Sequence, residues 1–149
     1  VIHRLDSVTL TPGALVEFVI AGAIAESWPV QARALSYRVI SETSPVIATP
    51  IDNGSALLGH LMQGARLIDV RTKEEFAEGH LPDAVNIPVD QITAELPKIA
   101  ATNETLLIYC RSGNRSATAA SALKQLGFKV VLDLGGIIDY TGELVKWDQ

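Results

Sequence analysis

Cys110 is the only cysteine of the chain, and it ends the apolar run Leu106-Leu107-Ile108-Tyr109. Arg111-Ser112-Gly113-Asn114-Arg115-Ser116 follow it, and an Ala-rich stretch with helical spacing begins directly behind. A thiol so placed lies among backbone N–H groups and at a helix N-terminus, and both favour an anion. The guanidinium groups of Arg111 and Arg115 push the same way, so the thiolate should form well below the value of about 8.5 of a free cysteine. These residues describe an anion-binding cradle built around a sulfur nucleophile. Gly113 supplies the positive φ that a tight cradle needs. Ser112, Asn114 and Ser116 offer small hydrogen-bonding groups, and Ser116 is placed to cap the following helix. A buried structural cysteine before an ordinary turn is the plain alternative. Two arginines and a glycine so close behind it count against that reading.

Positioning this loop requires a strand that ends at the cysteine and a helix that starts beyond it. Residues 105–109 read as the strand, and residues 116–126 as a helix stopped by Gly127. Residues 66–70 are an apolar run of buried-strand length. Thr72-Lys73-Glu74-Glu75 is a capping box, and the helix it opens ends at Gly79. Residues 84–87 form a further strand closed by Pro88. Asp90 is placed to cap a helix reaching residue 100, which Pro97 should shorten or kink. Asp52-Asn53-Gly54-Ser55 reads as a turn and cap before a helix over residues 56–63 that stops at Gly64. Residues 129–132 give a fourth strand, and Gly135-Gly136 opens a last helix. This alternation predicts an α/β domain: a mostly parallel sheet with helices on both faces. Ligands of such sheets bind beyond the carboxyl ends of the strands, where Cys110 falls.

Composition changes near Ser44-Pro45, which divides the chain into an extension, residues 1–44, and a domain, residues 45–149. Residues 14–26 and 30–42 read as Ala-rich helices separated by Ser27-Trp28-Pro29, so the extension is expected to be largely helical. It carries no recognisable chemistry and reads as a packing or docking appendage. A net charge of −5 and a pI near 5.1 argue against nucleic acid and anionic membranes as partners. A single cysteine excludes an internal disulfide and a Cys-cluster zinc site. His3, His60 and His80 fall in no metal-ligand spacing, so no metal is expected. No apolar stretch is long enough to span a membrane as a helix. Residues 13–25 are apolar, but Glu17 interrupts them. The cytoplasm is favoured, and export stays open because the chain starts at Val1.

Residues 45–147 resemble a rhodanese-like, or sulfurtransferase, domain. The matching motifs are Leu67-Ile68-Asp69-Val70-Arg71, Glu75-Phe76, Gly79-His80-Leu81-Pro82, Ala84-Val85-Asn86-Ile87-Pro88, the loop from Cys110 to Arg115, and Leu134-Gly135-Gly136. The resemblance implies a rhodanese-like fold and persulfide chemistry at Cys110, with no cofactor beyond that covalent intermediate. The thiolate would attack the outer sulfur of a small anionic donor such as thiosulfate. The sulfur would then pass to a thiol, cyanide or an acceptor protein. Arg111, Ser112, Gly113, Asn114, Arg115 and Ser116 would bind the donor, with Arg115 on its sulfonate end. Asp69 and Arg71 read as a structural ion pair or loop anchor, and His80 as a backbone-bonding residue. Tyr140 stands where this family often carries tryptophan.

Two other readings compete. Phosphatases on the same fold place five residues between cysteine and arginine, to cradle three phosphate oxygens. Four separate Cys110 from Arg115 here, and Tyr109 stands where those enzymes commonly have histidine. A binding, regulatory or sulfur-carrier module with little turnover is the second, although such relatives tend to lose the cysteine or the loop arginine. The charged pair of arginines favours thiosulfate, with glutathione persulfide or polysulfide as close competitors.

Overall fold

The computed structural model describes residues 3–4, 13–25, 31–41, 44–58 and 65–146. The chain forms two compact units, Val1–Ser44 and Pro45–Gln149. In the first, strands β1 (His3–Arg4), β2 (Leu15–Ala25) and β3 (Gln31–Ser41) make an antiparallel sheet in the order β1-β3-β2. This corrects the helices expected over residues 14–26 and 30–42. Val16, Phe18, Val19 and Ile20 on one segment, and Tyr37, Val39 and Ile40 on the other, are β-branched or aromatic. Such side chains favour extended backbone over helix, and they outweigh the alanines between them. The two long strands pair from Leu15↔Ser41 to Ala25↔Gln31, with three register shifts on the way. Ser27-Trp28-Pro29 lies outside the described residues.

The second unit carries strands β4 (Ile47–Ala48), β5 (Ala65–Asp69), β6 (Val85–Asn86), β7 (Thr105–Cys110) and β8 (Val130–Gly136). They form one sheet in the order β4-β8-β7-β5-β6, with every pairing parallel. The helices are α1 (Ile51–Leu58), α2 (Lys73–Glu78), α3 (Ile92–Glu95) and α4 (Asn114–Gln125). The central strand β7 shows how the layers are built. Successive side chains point to opposite faces, so Leu106, Ile108 and Cys110 enter one core with Ile92 and Leu96, and with Ala119, Ala120 and Leu123 of α4. Leu107 and Tyr109 enter the other, with Ile51 of α1 and Leu132 and Leu134 of β8. Both faces of this strand are covered, as its unbroken apolar run requires.

Several local readings hold, and several shift. Thr72 caps α2 in a full capping box with Glu75, and Gly79 ends that helix. The cluster Asp52–Ser55 is not a turn but lies inside α1, which starts at Ile51. The Asp52 carboxylate instead accepts from Thr141 N and Oγ1 at 2.9 and 2.7 Å, and Gly54 lets Leu134 pack closely against the helix. Residues 59–64, with the expected stop at Gly64, lie outside the described residues. Asp90 does not cap α3; Gln91 precedes it without a side-chain bond, and Pro97 falls in a short 3-10 turn, Leu96–Lys98. Gly135-Gly136 opens no α-helix: it ends β8, and only a 3-10 turn, Ile137–Asp139, follows. No described helix is long and apolar enough to cross a membrane.

Candidate active site

Strand β7 delivers Cys110 to the carboxyl edge of the sheet, and α4 starts after a turn of three residues. Gly113 occupies the N-cap with φ of 100°, a left-handed conformation that only glycine adopts without strain. Its amide donates to Cys110 Sγ at 3.1 Å. The cysteine is 1% exposed, so its sulfur forms the floor of the loop. Burial alone pushes the thiol pKa up. Hydrogen bonds from Ser116, Gly113 and Ser112 outweigh it and hold the thiol below its ordinary value. The backbone amides carry the larger part of this support, because the single hydroxyl proton of Ser116 is also claimed by Gly113 O at 2.9 Å. Ser116 is therefore not the helix cap but a first-turn residue that ties Gly113 O and Gly135 O together, the latter at 3.4 Å.

The loop rests on β8. The pairing Ile108↔Asp133 is followed by Tyr109↔Gly135 and Cys110↔Gly136, so β8 bulges by one residue at Leu134. Asp133 Oδ1 accepts from Gly135 N at 3.0 Å and steadies the bulge. A Cβ on Gly136 would stand 2.5 Å from Arg111 O and 2.7 Å from Ser112 Cα. The glycine is what allows the loop to lie so close.

The two loop arginines sit differently. Arg111 is exposed and makes no ion pair among the described residues. Arg115 is half-buried, and its two amino groups donate to both Glu75 oxygens at 2.6 and 2.8 Å. That arginine holds Glu75 at a pKa of about 2 and feels the charge of the Cys110 sulfur in turn. Asn114 begins α4 and is exposed.

Asp69 and Arg71 lie at the end of β5, beside Tyr109. Asp69 is fully buried, and Arg71 binds both its oxygens with the closest contact at 2.7 Å. Arg71 also donates to Gly79 O at 2.7 Å, clamping the end of α2 to the sheet. Asn86 Nδ2 donates to Asp69 O and Arg71 O, each at 3.0 Å. Removing one partner of such a buried pair leaves an uncompensated charge. Arg71→Ala should therefore cost about 3–5 kcal/mol, read as a lower urea midpoint. His80 Nδ1 donates to Phe76 O at 2.9 Å and its ring stacks on Phe76. None of its hydrogen bonds reaches the Cys110 loop. Tyr109 is buried, and its hydroxyl accepts from Leu81 N at 3.1 Å; burial pushes its pKa above the ordinary range. Among the described residues no group of three His, Cys, Asp or Glu side chains is placed to hold a metal ion.

Sequence reasoning passed over Glu75, Asn86 and Tyr109 as parts of this site. Glu75 carried a signal, the capping box, but nothing local reveals a partner forty residues on.

This geometry has relatives. Residues 55–143 match the family described as the rhodanese-like domain. A sulfurtransferase of Allochromatium vinosum is 44% identical over 73 residues, 48% of this chain and 67% of that protein. The thiosulfate sulfurtransferase PspE of Escherichia coli is 31% identical over 80 residues, 53% of this chain and 77% of that protein. A solved structure described as a rhodanese with anions from E. coli superposes with a TM-score of 0.52 at 30% identity, over 56% of this chain and 99% of that one. The chain belongs to the rhodanese-like domain family. Its second unit has the rhodanese-like fold, a parallel five-stranded sheet with helices.

Proposed function

We propose that the protein is a sulfurtransferase that carries sulfane sulfur as a persulfide on Cys110, with thiosulfate or a related persulfide or polysulfide as donor. The observation that carries this reading is the Gly113 amide on Cys110 Sγ at 3.1 Å, joined by the amides of Ser112 and Ser116. The Cys110 thiolate attacks the outer sulfur of thiosulfate. The S–S bond of the donor breaks, its electron pair leaves with sulfite, and a Cys110 persulfide anion remains. Cyanide, a thiol or an acceptor protein then takes the outer sulfur and restores the thiolate. No proton has to move in the first step, so no general base is needed, and no cofactor enters the cycle. The same amides that hold the thiolate hold the persulfide anion, and preorganised donors of this kind are typically worth about 3–4 kcal/mol each where charge develops.

Arg115 and Arg111 divide the capture of the donor. Arg115, fixed by Glu75, presents its remaining N–H groups to the sulfonate end, while Arg111 adds charge at the rim. Arg115→Ala should raise the KM for thiosulfate about tenfold with a smaller change in kcat, and Arg111→Ala by about threefold. Equal, small increases in steady-state assays would refute this division. The reaction itself is tested by peptide mass spectrometry after thiosulfate treatment. Addition of one sulfur (about 32 Da) to the peptide holding Cys110 is expected. Unmodified protein would refute it. Loading without release to cyanide would instead mark a sulfur carrier.

A further inference from the structure

The carboxylate of Glu75 does more than close the cap of α2. Its Oε2 accepts from Thr72 N at 3.0 Å, and its two oxygens together take both amino groups of Arg115. The pair is not sealed off: the two side chains are 33% and 24% exposed, so a dissolved ligand can approach it. The charge of Arg71 also acts on Glu75, and that of the Cys110 sulfur acts on Arg115. Charge thus alternates through Asp69, Arg71, Glu75, Arg115 and the Cys110 thiolate.

Arg115 keeps three of its five N–H donors, so an anion can still hydrogen-bond to it. What the pairing removes is net positive charge. Arg111 is left as the loop cation without an ion pair among the described residues. A dianion gains more than a monoanion from a bare guanidinium, and a neighbouring carboxylate repels it twice as strongly. For ligands of one shape, the carboxylate therefore selects by charge. We propose that Glu75 is a specificity-determining residue of the cradle, which by pairing with Arg115 narrows the advantage of dianionic over monoanionic sulfur donors. The proposal rests on the reading of the Cys110 loop as the donor site.

Sulfate and methanesulfonate test it, because they share a tetrahedral sulfonate face and differ in charge. Their binding can be followed through the Gly113 amide resonance, without any sulfur transfer. Glu75→Gln keeps one oxygen for Arg115 and removes the charge. It should raise the sulfate-to-methanesulfonate affinity ratio about tenfold, and Arg115→Gln added to it should erase the gain. Arg115→Gln alone leaves the carboxylate unopposed and should lower the ratio, which keeps the test standing if Glu75→Gln fails to fold. In turnover, Glu75→Gln should raise the kcat/KM ratio of thiosulfate over methanethiosulfonate by the same factor. An unchanged ratio, or equal changes for both anions, would overturn the proposal and leave Glu75 a cap and strut. Anion binding that follows these ratios in a protein whose Cys110 never gains sulfur would support the charge selection and refute only the reaction.

Discussion

Cys110→Ser should abolish sulfur transfer, lowering kcat/KM for thiosulfate by at least about a thousandfold, with far-UV circular dichroism unchanged. A serine hydroxyl does not ionise near neutral pH, and the amides around it cannot lower its pKa far enough to make a nucleophile. No other thiol in the chain can take over. The fold should survive, because the hydroxyl can accept the Gly113 amide in place of sulfur, and the exchange of one buried polar contact costs about 1 kcal/mol. Residual turnover above one per cent of wild type would mean that the sulfur is carried elsewhere.

Gly136→Ala should cost a large part of the activity without touching any reacting group. The added methyl meets backbone, Arg111 O at 2.5 Å and Ser112 Cα at 2.7 Å, so no flexible side chain can move aside. The loop itself must shift, and the Ser112 and Gly113 amides move with it. A displacement of about 1 Å in such a constellation can cost about a hundredfold in rate, which is the loss expected in kcat. The thiol pKa should rise at the same time, because its amide donors are no longer aimed at sulfur. A variant with wild-type kcat and an unmoved thiol pKa would show that β8 does not set the cradle.

How far the sequence foretold this arrangement depended on distance along the chain. The cradle is local: strand, cysteine, glycine and helix start follow one another, so the loop and the need for positive φ at Gly113 could be read directly. The Thr72–Glu75 box was equally legible, since both bonds form within four residues. The Glu75–Arg115 pair was not, because its members are brought together only by the β5-β7 pairing and the helices that follow those strands. The bulge at Leu134 was hidden for a similar reason: a strand shows its register only against its neighbour. Gly135-Gly136 accordingly resembled a helix start. In the N-terminal unit the alanines suggested helix, while strand pairing, a property of two segments at once, decided otherwise.

The account depends on one electrostatic claim, that the loop amides draw the Cys110 thiol below the pKa of a free cysteine and so raise its thiolate fraction. Absorbance of the thiolate near 240 nm, titrated against pH with the Cys110→Ser protein as blank, reads that single group without requiring access to it. The predicted midpoint lies below that of a free thiol, because the loop amides hydrogen-bond the sulfur, and rises in Gly136→Ala. A midpoint at or above that of a free thiol would contradict the claim, and the proposed reaction would lose its nucleophile.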